Sequence, residues 1–227
     1  MRRYISFIIT LIGLHSYSFA AENSSPTFKM DGEVSLLSQY VENGLNQTDG
    51  SPALQGSFWF NFGPQFRLGL WGSNTNYEDS NDNFNLRANA DIKINFSQES
   101  NAVIGYSYST YYQDGDRNGN ILSLHLNFGT YRVMFDNFSN WEGTHKKSMR
   151  LGLGKATQVF TSWIWDNEAG YNSPDVDYIS SYFDLRTGIG TNWGVIFLEG
   201  AVTGTSAASD LNGTGDIYFI LSAKTGF

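Results

Sequence analysis

Cysteine is absent from the 227 residues. That removes disulfide frameworks, thiolate metal sites, a cysteine nucleophile and the cysteine that carries a lipoprotein anchor. Histidine is scarce, with three residues, so a His-dependent hydrolase has few candidates. No apolar run reaches the roughly 18 residues that a membrane helix needs, which excludes a helical membrane protein. Basic residues are outnumbered, 14 against 22 acidic ones, for a formal charge of -8; a nucleic-acid binder, which neutralises phosphates with clustered Lys and Arg, is excluded on that ground. What the chain has in quantity is aromatic residues, 17 Phe, 13 Tyr and 6 Trp, at a mean hydropathy of -0.31. It is too aromatic and too sparsely charged for disorder. Its length allows one or at most two domains.

The first twenty residues read as a secretory signal peptide. Arg2 and Arg3 precede an apolar stretch from Ile5 to Leu14, and Ser18-Phe19-Ala20 offers small residues for cleavage after Ala20. Ten residues cannot cross about 30 Å of hydrocarbon as a helix, so a membrane anchor is excluded. The leader holds two of the basic residues and none of the acidic ones, so residues 21–227 are more acidic still.

Within that remainder the clearest pattern runs from Phe84 to Phe96. Phe84, Leu86, Ala88, Ala90, Ile92, Ile94 and Phe96 alternate with Asn85, Arg87, Asn89, Asp91, Lys93 and Asn95. Strict period two over this length is a strand with one apolar and one hydrophilic face. It exceeds the usual 5–6 residues of a soluble strand and suits the roughly 9–11 of a tilted membrane strand. Looser copies recur from Phe28 to Phe227, giving an expected twelve strands and no helical stripe. The less regular ones are placed at Ser148–Gly154 and Val159–Trp165, and the closing ones at Tyr178–Ile189, Trp193–Thr203 and Asp216–Phe227.

Connections alternate in length. Long polar segments at Glu42–Ser51, Asn74–Asn83, Gln113–Gly119, Ser139–Lys146, Asp166–Asp175 and Gly204–Gly215 are separated by short ones at Gly63-Pro64, Ser97–Asn101, Gly129-Thr130, Lys155–Thr157 and Gly190–Asn192. Membrane barrels sort their turns and loops in this way, and a soluble sandwich has no reason to. Phe62, Phe66, Phe96, Phe128, Tyr131, Trp193 and Phe227 lie beside the short turns or on the last strand, as an interfacial girdle would. The expected fold is therefore an all-β, transmembrane, antiparallel up-and-down barrel in the outer membrane of a Gram-negative bacterium. Its partners would be outer-membrane lipid and lipopolysaccharide, the barrel-assembly machinery through Phe227, and small polar solutes.

Ser38, Tyr40, Gly44, Thr48, Asp49, Pro52, Ala53, Gln55 and Gly56, followed by Trp71, Gly72, Ser73 and Asn74, give the chain a resemblance to the TorF family of porins. The resemblance implies an outer-membrane barrel with porin-like activity and names no solute. The sequence departs from it at Asn43, where the family has arginine, and at Asn46, where it has serine. A role of that arginine in the first loop does not carry over.

The strand pattern turns a set of charges inward: Lys29, Asp31, Glu33, Arg67, Arg87, Asp91, Lys93, Arg132, Asp136, Arg150, Asp184, Arg186, Asp216 and Lys224. Such residues either set ion selectivity in a water-filled pore or cross-link into a salt-bridged plug, and twelve strands permit both. Catalysis is not expected. His125 lies on the same face as Ser123 but has no evident carboxylate nearby in sequence to orient it. Asp114-Gly115-Asp116-Arg117-Asn118-Gly119-Asn120-Ile121 matches the start of a calcium loop, yet the twelfth position is His125 where the bidentate Glu belongs, so a turn-rich hairpin is the better reading. No cofactor or metal is expected. The functional expectation is passive diffusion of small hydrophilic solutes or ions, with a barrel hydrolase or a plugged structural barrel as alternatives.

Overall fold

The computed structural model describes residues 28–78, 80–208, 211 and 214–227; the leader and its cleavage site lie outside them. The strands are β1 (Phe28–Leu37), β2 (Val41–Glu42), β3 (Leu45–Asn46), β4 (Ala53–Phe62), β5 (Phe66–Asn74), β6 (Phe84–Asn95), β7 (Ser100–Tyr112), β8 (Gly119–Phe128), β9 (Tyr131–Phe138), β10 (Ser148–Val159), β11 (Trp163–Pro174), β12 (Tyr182–Trp193), β13 (Ile196–Thr205) and β14 (Ile217–Gly226). Twelve of them, β1 and β4 to β14, form one closed antiparallel barrel in which each strand pairs with its neighbour in the chain. The remaining two, β2 and β3, pair only with each other.

Alternation along the strands decides which face is which. On β6, Ile92 and Ile94 are exposed on the outer wall while Asn85 is fully buried on the inner one. Met30, Leu36, Leu54, Leu70, Leu122, Leu151, Leu185 and Leu221 are each about half exposed or more. A continuous apolar wall of this kind is incompatible with water and suits hydrocarbon, where closure of the sheet leaves no unpaired strand edge. At the short-turn rim the rings of Phe28, Phe62 and Phe66 pack in series at tilted angles, with centroids 5.6 and 5.7 Å apart, and Phe96, Phe128, Tyr131, Trp193 and Phe227 are exposed alongside them.

The barrel closes between β1 and β14, in register from Glu33 opposite Gly226 to Leu37 opposite Ser222. Gly32 and Phe227 extend the ladder by exchanging backbone hydrogen bonds of 2.9 and 3.0 Å. The Phe227 ring lies against Gly32 so closely that any side chain there would overlap it.

Several expected boundaries move. Lys155–Thr157 is strand, and the turn falls at 160–162, where Phe160 takes a φ of 55°. Lys155 and Thr157 point outward near the rim, Lys155 over the Tyr131 ring at 4.8 Å, so their polarity marked an interface and not a turn. Gly190–Asn192 is likewise strand, and the chain reverses at Gly194, with a φ of 64°. Gly190 is instead a close-packing position beneath the Phe197 ring. Asp166–Pro174 belongs to β11, and Tyr178 lies in the loop before β12.

Candidate functional site

The first long connection does not stay outside. After β1 the chain folds back on itself as the β2–β3 hairpin, turned at Asn43-Gly44 with φ values of 52° and 79°. Asn-Gly with two positive φ angles is the sequence that a tight type I′ turn requires. The arginine-to-asparagine departure at position 43 thus favours the turn. Tyr40 closes the base: its amide donates to Thr48 Oγ1 at 3.0 Å, its carbonyl accepts from the Gln47 amide, and the Thr48 amide donates to Asn46 Oδ1.

The hairpin spans the barrel. On one side, Arg87 on β6 makes a two-pronged ion pair with Glu42, at 3.0 and 3.2 Å, and the Tyr40 hydroxyl donates to the same carboxylate at 2.9 Å. Arg87 is itself held by Ser109 and lies over Trp71. On the other side, Gly44 sits against Asp184 and Thr205, and the Tyr182 hydroxyl donates to the Asn43 carbonyl. β6 and β12 are six strands apart in a ring of twelve, on opposite walls. Burial alone would push the Glu42 carboxyl up, but the Arg87 charge and the hydrogen bonds from Arg87 and Tyr40 hold it below the ordinary carboxylate value of 4.5. Burial pushes the Tyr40 hydroxyl well up, which keeps it a neutral donor.

Other loops clamp the hairpin from above. The Tyr77 hydroxyl donates to Gln47 at 2.5 Å, the Gln47 amide group reaches Glu142 at 3.4 Å, and the Asn46 amide donates to the Thr214 carbonyl. Leu45 packs with Trp141, Val176, Tyr182, Ala207 and Leu211, the one buried apolar cluster among the described residues.

Below the hairpin the lumen carries an ion-paired ladder. Arg132 meets Asp166 and Glu168 at 2.8 Å each, Arg150 meets Glu168 and Asp184 at 2.8 Å each, and Arg186 meets Glu199 at 2.7 Å and Asp166 at 3.6 Å. Glycines seat these groups: a side chain at Gly154 would overlap Arg132, and one at Gly170 would overlap both Asp184 and Arg150. Asp166, Glu168 and Glu199 were not anticipated from the sequence, nor was Glu42. Toward the short-turn end, Arg67 pairs with Asp91 at 2.7 Å and lies on Trp59, which covers Gly69; this accounts for a tryptophan on the polar face. Asp31 accepts from Asn61 at 2.7 Å, and Glu33 lies 4.0 Å from Lys224. Lys29 and Lys93 share the inward face at that end. Asp216 precedes β14, where its carboxylate is exposed and accepts from the Ile217 amide.

Residues of the family-like motif converge. Ser38 accepts from the Leu221 amide beside the seam. Tyr40, Gly44 and Thr48 build the hairpin, and Asp49 follows it with a φ of 46°. Asn74 accepts from the Leu54 amide and donates to the Pro52 carbonyl, Gln55 donates to Ser73, Gly56 pairs with Gly72, and Ala53 is buried where β4 begins.

His125 has a carboxylate partner after all, Asp136 at 3.0 Å, brought across from β9. Ser123 stands opposite Asp136 and not at the imidazole Nε2, so the three are not ordered as nucleophile, base and orienter. Two side chains of the calcium-like loop take protein amides from outside it. Asp114 accepts from Asn81, and Asn118 accepts from the Tyr111 amide.

Residues 20–206 match the family model described as "Bacterial protein of unknown function (Gcw_chp)". The chain is a member of the Gcw_chp family. The matching model does not bear the TorF name. A comparison with curated proteins returns no match. Among solved structures, this Gcw_chp protein is similar to the KdgM porin, with a TM-score of 0.58 at 8% identity over 87% of this chain and 99% of that one. It is similar also to the NanC porin, with a TM-score of 0.56 at 8% identity over 87% and 98%, and to a KdgM porin in complex with disordered oligogalacturonate, with a TM-score of 0.56 at 8% identity over 88% and 99%. At such identities the likeness is one of fold: the Gcw_chp chain has the closed twelve-stranded barrel of a porin.

Proposed function

We propose that this Gcw_chp protein is a narrow outer-membrane channel for passive diffusion of small hydrophilic solutes or ions, its long loops facing the exterior and its mouth restricted by the β2–β3 hairpin. The observation that carries the reading is an apolar barrel wall around a polar, charged lumen crossed by a hairpin fastened mainly through side chains. A wall needs hydrocarbon outside; a lined lumen gives hydrated solutes a path; the hairpin sets its width. In this reading the wall meets phospholipid and lipopolysaccharide, and the exposed Phe227 ring at the β1–β14 seam is the contact offered to the barrel-assembly machinery.

Planar-bilayer recording of the purified protein tests it. Discrete single-channel steps are expected, and replacing 41–47 with a short Gly-Ser linker should raise the step size several-fold. A plugged structural barrel is favoured by the cross-linked ladder of Arg132, Arg150 and Arg186. If neither the native protein nor the linker variant conducts, the plugged reading replaces the channel. A hydrolase would require activity that His125→Ala abolishes.

A further inference from the structure

The outer side of the hairpin is the floor of a second compartment. Leu45, Asn46 and Asp49 of the first loop meet residues of the other five long loops around a cavity of about 580 Å³. That volume lies in the range of small-molecule sites, about 300–1,000 Å³. Six separate loops converge on it.

The charge of its lining is one-sided. Asp49, Glu78 and Glu142 face the cavity with Arg117 as the counter-charge. Arg117 is already engaged, bonded to Glu142 at 2.8 Å and stacked 3.8 Å over the Tyr77 ring. The same loops carry Asp114, Asp116, Asp175 and Asp177 against Lys146 and Lys147, so the field entering the cavity is negative. Trp141 forms an apolar wall, and Tyr178, 72% exposed, offers an aromatic face at the rim. Carboxylates beside aromatic faces in a recess suit a positively charged, ring-sized solute, because a partly desolvated site strengthens attraction for a cation and repulsion of an anion alike.

We propose that this cavity is a binding site for small cationic, ring-bearing solutes and that it discriminates against their anionic counterparts. The proposal names the solute class of the channel and rests on the channel reading for its use, whereas binding itself needs no open pore. The site is also wired to the hairpin, since Glu142 and Tyr77 both bond Gln47. A cation drawn to Glu142 competes with the Gln47 amide for the same carboxylate, which loosens the clamp above the hairpin.

Titration calorimetry on the full chain in detergent, just below neutral pH, tests this with three probes that share one ring and differ in charge: glucosamine, glucose and glucuronate. Glucosamine should bind at least ten-fold more tightly than glucuronate, with glucose between them, and high salt should compress the difference. Glu78→Gln and Asp49→Asn, both at exposed positions, should each weaken glucosamine several-fold while leaving the folded band on an unboiled gel in place. Equal affinities, tightest binding of glucuronate, or no heat from any probe would overturn the proposal. Binding in this order by a protein that conducts nothing in bilayers would uphold the site and overturn the channel.

Discussion

Glu42 joins a loop to the wall through a single carboxylate, and its contacts set what its loss should do. Glu42→Gln keeps a hydrogen-bonding amide but removes the charge opposite Arg87, leaving a half-buried guanidinium short of its partner at a cost of about 1–3 kcal/mol. Since 1.4 kcal/mol is about ten-fold in an equilibrium, the undocked hairpin should rise in population by roughly an order of magnitude. The readout is more frequent or larger conductance steps. The pH dependence follows from the direction of the shift: docking holds the Glu42 carboxyl below its ordinary value of 4.5. The stabilisation is therefore complete above that value and is lost as pH falls through the lowered one. Conductance should climb on acidification below about 4.5, and Glu42→Gln should flatten that rise. Arg87 was legible in the sequence because the alternation of β6 aims it inward. Glu42 was not, because two-residue strands carry no periodicity and a polar loop reads as solvated. Asp166 and Glu168 were missed for another reason: Asn167 faces the lipid wall and Gly170 the lumen, so β11 breaks the alternation on both faces.

At the scale of the strand, the inner faces of β10, β11 and β12 are cut to fit guanidinium groups. Gly170→Ala would place a methyl where Arg150 meets Asp184, so the pair must separate or the strands must bow. Loss of a largely buried charge pair costs several kcal/mol, and the expected outcome is a lower unfolding temperature in detergent, whereas Gly200→Ala, on the outer face, should be near neutral. The position of these strands was only partly readable. Their glycines are packing seats, and glycine is also the commonest sign of a turn, so Gly190 drew the expected reversal away from Gly194. Where every inward position carried a polar side chain, as on β6, the expected span and the observed one coincide within a residue.

For the whole molecule, the barrel was the most legible feature, because parity of connection lengths and twelve copies of one alternation report on closure together. The hairpin's inward path was not, since residues 38–52 are held by contacts with β6, β12 and four other loops, all distant in sequence. Closure predicts that the native protein migrates faster than the boiled one on a detergent gel; identical migration would contradict a membrane barrel. The acidic loop end and the ladder beneath it, three arginines against four carboxylates, predict a reversal potential shifted toward the cation in a salt gradient, shrinking as ionic strength rises.

The seam between β1 and β14 also fixes an order of events in time. It joins partners about 180 positions apart, such as Gln39 and Phe219, and no shorter loop can substitute for it. Until the Phe227 ring settles over Gly32, two strand edges with unpaired amides face hydrocarbon, where each such group is costly. Intermediates with eleven strands in place thus gain little, and assembly is committed by its final pairing. Gly32→Val, which blocks that ring, should slow the appearance of the folded gel band far more than it lowers the stability of barrels that have already closed.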